Sequence, residues 1–125
     1  MRLVSAFSLI CVILSLCSCG KDLPDLPGVD VEKWKADRNG CLGYRRTIAS
    51  SITSEMSKLK GLAEMDVIQL LGKPDVNELY KRNQKFYSYY ITAGPPCTTK
   101  DSSIHRLVLR FNAMGYAQLV SVEKD

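Results

Sequence analysis

The spacing of apolar residues changes once along this chain, at Gly72-Lys73-Pro74, and that change decides the class of fold open to it. Before it, Tyr44, Ile48, Ile52, Met56 and Leu59 recur every three or four residues, with Arg45, Arg46, Glu55 and Lys58 between them. This is the pattern of one amphipathic helix, ended by Gly61. A shorter helix is predicted over Glu64 to Leu71, where Val67, Ile68 and Leu71 form the inward face; Gly72 stands just past its end and Pro74 prevents continuation. After Pro74 the period falls to two and β-formers dominate. Strands are predicted over Val76 to Lys81, Gln84 to Thr92, Ile104 to Asn112 and Tyr116 to Val122, with turns near Arg82-Asn83 and at Asn112-Ala113-Met114-Gly115. In the third strand Leu107, Leu109 and Phe111 share one face and Arg106, Val108 and Arg110 the other. The expectation is an α+β fold, two N-terminal helices packed on one face of a three- to four-stranded antiparallel meander, since an apolar sheet face must be covered and the helices are what can cover it.

The N-terminus reads as an address rather than as structure. Met1-Arg2 gives a short positive start, and Leu3 to Leu16 is an apolar run broken only by small serines, with the proportions of a secretory segment and too short to cross a membrane as a helix. The tetrapeptide Leu16-Cys17-Ser18-Cys19 resembles the lipobox of bacterial lipoproteins, which needs an aliphatic residue three before the cysteine, a small residue at the cut, and a thiol to accept diacylglycerol. Cys17 is the competing acceptor, but it would put bulky Leu16 at the cut. The resemblance implies that residues 1–18 are removed and that Cys19 is lipidated, with the mature chain held on a membrane by two or three acyl chains. Gly20 stands where an inner-membrane retention signal often has Asp, which favours the outer membrane, with the domain facing the periplasm.

A chain of 125 residues, less such a leader, supports one core. Residues 19–33 read as a lipidated N-terminus and flexible tether, because Pro24, Pro27 and Gly28 stand in a stretch without apolar periodicity. Residues 34–125 are then the single α+β domain. The balance of 17 Lys and Arg against 13 Asp and Glu, a formal net charge of +4, is the ordinary charge of a soluble domain and carries no nucleic-acid signature. It would weakly favour anionic membrane surfaces or acidic partners.

With Cys11 and Cys17 in the leader and Cys19 acylated, Cys41 and Cys97 remain in an oxidising compartment, where a disulfide between them is the expected state. It would pin the Trp34 to Tyr44 segment to the Gly94-Pro95-Pro96-Cys97 loop. Two sharper alternatives are weaker: a zinc site from Cys41, Cys97 and His105 lacks paired short-spaced ligands, and a Cys97–His105 nucleophile pair lacks any accompanying catalytic signature. Phosphate-loop glycine patterns are missing as well. No catalytic residue, metal or cofactor is therefore assigned.

Basic and aromatic residues mix in Tyr80-Lys81-Arg82-Asn83-Gln84-Lys85-Phe86-Tyr87-Ser88-Tyr89-Tyr90. In an exported chain this reads as a basic hairpin turn feeding an aromatic strand, not as a platform for single-stranded nucleic acid. Period two puts aromatics on both sheet faces: one packs on the helices, and the other is read first as packed or as ordinary surface, with an exposed tyrosine-rich protein or glycan contact as the sharper alternative. The candidate partner contacts are Trp34, Tyr87, Tyr89 and Tyr90, although a lone Trp beside a turn reads first as a lid on the core.

The stretch Gly61-Leu62-Ala63-Glu64-Met65-Asp66-Val67-Ile68-Gln69-Leu70-Leu71-Gly72-Lys73-Pro74-Asp75, the tyrosine-rich strands and Leu107-Val108-Leu109-Arg110-Phe111-Asn112-Ala113-Met114-Gly115 resemble the SmpA/OmlA lipoproteins, also called BamE, over residues 61 to 122. The resemblance implies two helices against a three-stranded antiparallel sheet of β-lactamase-inhibitor-like type, and a non-enzymatic accessory role in outer-membrane protein assembly. Together with the anchor it leads to an expectation of a membrane-anchored, non-catalytic protein-binding or scaffold module of the cell envelope. Its partner would be an envelope protein, met through the sheet face or the cysteine-pinned loop. The alternative is an inhibitor or ligand-binding module of β-lactamase-inhibitor-like type.

Overall fold

Asp30 starts the first helix: its carboxylate accepts hydrogen bonds from the backbone N–H groups of Glu32 and Lys33, which satisfies two of the donors a helix start leaves free. The helix, α1, spans Val31–Ala36 and buries Trp34. The computed structural model describes residues 22–125; the leader expected over residues 1–18 and the expected lipidation site Cys19 lie outside the described residues. Ordered packing begins well before residue 34. Leu26 is buried in the core and Leu23, Val29 and Val31 pack against it, so most of the segment expected to serve as tether lies against the domain instead.

The predicted Tyr44 to Lys60 helix is not continuous. It consists of α2 (Tyr44–Thr47), α3 (Ala49–Glu55) and a 3₁₀ turn over Met56–Leu59, with Ile48 leaving helical geometry at φ −110°, ψ 19°. The run Thr47-Ile48-Ala49-Ser50-Ser51-Ile52-Thr53-Ser54 explains the break. Its β-branched residues lose rotamer freedom in a helix, and its hydroxyls bond to carbonyls: Thr47 to Tyr44, Thr53 to Ala49 and Ser54 to Ser50. The apolar spacing still aims one face inward, and Ile52 and Leu59 are fully buried. The next helix, α4 (Glu64–Leu71), is the one predicted; Gly72 ends it at φ +81°.

Four antiparallel strands follow in sequential order: β1 (Val76–Tyr80), β2 (Gln84–Tyr90), β3 (His105–Phe111) and β4 (Ala117–Lys124). The fold is α+β, with the helices ahead of the sheet and a meander after Pro74, as the period change requires. In register, Tyr87 opposes Leu109 and Tyr89 opposes Leu107, and Leu107 and Leu109 oppose Val122 and Val120. These residues with Phe111 form the helix-facing layer, where Trp34, Ile52, Leu59, Val67 and Leu71 close the core. Burying that many large apolar side chains at about 1.5–3 kcal/mol each is the main stabilising contribution. The first and third connections are tight turns at one end of the sheet, and the long β2–β3 connection lies at the other. Among the described residues no helix is long and apolar enough to cross a membrane.

Candidate functional site

The long β2–β3 connection meets the segment between α1 and α2 at the end of the sheet where Tyr90 and His105 stand, and a buried polar cluster holds them together. Asp37 is fully buried, and its carboxylate accepts from the N–H groups of Leu42 (2.6 Å) and Arg45 (2.9 Å), which caps α2 from a distance. Arg45 is fully buried too. Its Nε donates to the Trp34 carbonyl (3.1 Å), and its Nη1 donates to Asp75 Oδ2 (2.6 Å) and the Tyr90 carbonyl (3.0 Å). The guanidinium lies 4.6 Å from the Trp34 ring centroid, a cation–π contact that water cannot weaken there. Asp75 in turn accepts from the N–H groups of Asn39 (3.1 Å) and Tyr90 (2.9 Å). One carboxylate thus joins three separate parts of the chain, and Arg38, donating to the Lys73 carbonyl, closes the cluster from outside.

Around this cluster the two loops are fastened directly. Cys41 and Cys97 form a disulfide with their Cα atoms 5.4 Å apart, and the Gly94 N–H donates to the Asn39 carbonyl at 3.0 Å. Two glycines permit the approach. A methyl group on Gly40 would lie 2.7 Å from the Thr92 carbonyl oxygen, and one on Gly94 would lie 2.7 Å from the Tyr90 ring. Arg46 pairs with Asp101, whose carboxylate also accepts from the Ala93 N–H at 2.8 Å. That backbone hydrogen bond first, and Arg46 second, hold the Asp101 carboxyl below its ordinary range. What this end presents to solvent is Leu42, with 77% of its surface exposed, together with Pro95, Pro96, Thr98, Thr99 and Lys100.

The structure confirms the disulfide and reassigns the aromatic residues. Trp34, Tyr87, Tyr89 and Tyr90, the candidate partner contacts, are all buried, and Trp34 is the lid on the core that its place beside a turn predicts. Tyr87 and Tyr89 lie on the helix-facing layer, Trp34 packs beside Tyr89, and Tyr90 sits on the opposite face beneath Gly94 of the long connection. The tyrosine of that face is therefore not exposed; Gly94 of the connection lies over its ring. The zinc and nucleophile alternatives lose their thiols, because both sulfurs are spent on each other. His105 stands half-buried at the start of β3, opposite Lys124. Among the described residues no cavity opens beside His105 and Asp101 or elsewhere.

Asp37, Arg45 and Asp75 carry this end and were not legible as site residues. A signal existed for one of them: Arg45, Ile48 and Ile52 fall at i, i+3 and i+7, so helical period places the arginine on the inward face. No protein-family model, curated protein or solved structure matches this chain.

Proposed function

We propose that this chain is a lipid-anchored, non-catalytic protein-binding or scaffold module of the bacterial cell envelope, attached through Cys19 and meeting a protein partner with its disulfide-pinned end. The observation that carries the reading is the fastening of two irregular loops by a disulfide, a buried arginine–carboxylate pair and a main-chain hydrogen bond. A loop held this firmly loses little entropy on binding, which is what a preorganised contact surface requires. Its exposed residues include Leu42 and the Pro95-Pro96 pair, which offer rigid apolar area.

The disulfide also supports export, since such bonds persist in oxidising compartments. Export in turn agrees with the leader and lipobox-like Leu16-Cys17-Ser18-Cys19. An accessory role in outer-membrane protein assembly, facing the periplasm, is the finer form of the proposal and rests on the resemblance of residues 61–122 to the SmpA/OmlA lipoproteins.

The test is photo-crosslinking in the native cell from probes placed at Leu42 and Pro95, followed by purification through an epitope tag. The proposal expects one or a few envelope proteins joined at these positions and not from a probe at Ser50 on α3. Recovery of the same unrelated abundant proteins from all three positions would overturn it.

A further inference from the structure

The end of the sheet opposite the disulfide carries a concentration of exposed apolar residues, of which Tyr80 packs one face of its ring against Phe86 at 4.7 Å between centroids. Leu79 (69% exposed) and Tyr80 (56%) flank the β1–β2 turn, and Met114 (81%) and Tyr116 (43%) stand on the β3–β4 turn. Glu64 brings the two turns together, its N–H donating to the Gly115 carbonyl at 3.0 Å and its carboxylate pairing with Lys85 of β2 at 3.0 Å. Between Leu79-Tyr80 and β2, Lys81 and Arg82 project as cations that make no ion pair among the described residues. Apolar side chains at turn tips interleaved with cations form a surface suited to the boundary between lipid headgroups and acyl chains.

A second, independent observation concerns where the chain enters the domain. The Asp25 carbonyl accepts from Lys58 Nζ at 3.1 Å, and three residues after Lys58 the Gly61 N–H donates to the carbonyl of Ala117, just past the β3–β4 turn. The described chain therefore begins towards the end that bears the exposed turns. From Cys19 to Asp22 there are only three residue steps, which span about 11 Å at full extension. A domain of this size is roughly 30 Å across, so a lipidated Cys19 would hold it against the bilayer with this end nearest.

We infer that the two turns bearing Leu79, Tyr80, Lys81, Arg82, Met114 and Tyr116 dock on the surface of the membrane that holds the anchor, inserting shallowly among anionic phospholipid headgroups. The inference rests on the proposed lipidation of Cys19. It also gives the domain a direction: the disulfide-pinned end then points away from the bilayer, toward a partner.

The experiment uses the full lipidated chain purified from its cell and reconstituted into vesicles of phosphatidylethanolamine with phosphatidylglycerol. A Met114→Cys variant, whose other thiols are spent on the disulfide or acylated, is labelled with a polarity-sensitive fluorophore, and a Thr98→Cys variant is labelled as the distal control. Flotation reads the anchor, and emission reads the turn. The expected result is flotation of both, a blue shift and increased intensity at position 114 and neither at 98. The shift should fall at least several-fold in vesicles without phosphatidylglycerol, or when Lys81→Glu and Arg82→Glu are combined. Flotation without a shift at 114 overturns the docking and leaves the anchored reading intact. A shift at 114 that appears in cells but not in pure vesicles assigns the turns to a protein and also overturns it. A chain that does not float removes the anchored reading and the docking with it.

Discussion

Arg45 Nη1 and Asp75 Oδ2 stand 2.6 Å apart with both side chains shielded from solvent, and each also bonds to the backbone of Tyr90, Arg45 to its carbonyl and Asp75 to its N–H. Such a pair gives little net stability over an apolar one, because both ions were stripped of water. Removing one partner is another matter. Arg45→Met leaves the buried carboxylate only the half-exposed Arg38 guanidinium, 3.6 Å from Asp75 Oδ1, and is expected to cost about 3–5 kcal/mol, a large part of what a small domain has. Asp75→Asn in the same background removes the charge and keeps one oxygen to accept from either the Asn39 or the Tyr90 N–H, which bond to different carboxylate oxygens. The double variant is therefore expected to be more stable than the sum of the two single losses. Urea unfolding of all four proteins measures the coupling; additive losses would show that the pair is not energetically linked.

The disulfide joins residues 56 positions apart, so breaking it returns a long loop to the unfolded ensemble. The chain-entropy account puts the loss at about 4 kcal/mol. A paired Cys41→Ser, Cys97→Ser variant should unfold at a correspondingly lower denaturant midpoint, and wild type treated with reductant should match it. The slope of the transition should rise somewhat, because the denatured chain without the crosslink exposes more surface. A midpoint unchanged by reduction would mean that the buried cluster alone fixes this end.

Residues that alternate along one element were readable because their environment is set by local geometry. Leu107, Leu109 and Phe111 point inward because a pleated strand sends every second side chain to the same face, and all three are fully buried. Arg45 lies on the inward face by the same kind of argument, yet its burial depends on Asp75, 30 residues later, and a charge whose partner is distant in sequence reads as surface. The aromatic strand failed for a related reason. Period two separates Tyr89 from Tyr90, but only the tertiary path of the β2–β3 connection decides that Tyr90 is covered as well. The missed helix α1 carried an ordinary start signal in Asp30, obscured by the prolines just before it. In the broken helix, hydroxyls competing for carbonyls overrode an apolar spacing that was correct as to face.

Two glycines of the pinned end allow backbone conformation to be separated from crowding. Gly40 has φ +70° and its absent methyl would lie 2.7 Å from a backbone oxygen of Thr92, whereas Gly43 has φ +85° with nothing within 4 Å of that point. Gly43→Ala is expected to cost roughly 1–2 kcal/mol, the ordinary penalty of left-handed backbone. Gly40→Ala should cost at least about 1 kcal/mol more, because a main-chain carbonyl in the loop contact cannot swing aside as a side chain would. Thermal unfolding of the two variants compares them directly, and equal losses would refute the close approach.

Tyr87 gives the sheet core a dependence on alkaline pH. Its hydroxyl donates to Glu64 Oε1 at 3.0 Å beneath the packed helix, and burial first, then the Glu64 carboxylate, push its pKa up from 10.0 to about 12. The folded state therefore holds the phenol proton more tightly than the unfolded chain. That contribution is fully present below the unfolded value near 10 and is lost as pH rises through the folded value near 12. Tyr89 is shifted upward as well, chiefly by burial, so alkaline unfolding of wild type alone would mix the two. The difference between wild type and Tyr87→Phe removes the part of the Tyr89 contribution that burial sets, and keeps the smaller part that Tyr87 itself adds. Wild type should lead by about 1 kcal/mol at neutral pH, the worth of one hydrogen bond, and should lose that lead and fall behind between pH 10 and 12. Denaturant titrations at intervals of half a pH unit would follow the crossing, and parallel stability curves over that range would show that the phenol is not held by Glu64 in the folded protein.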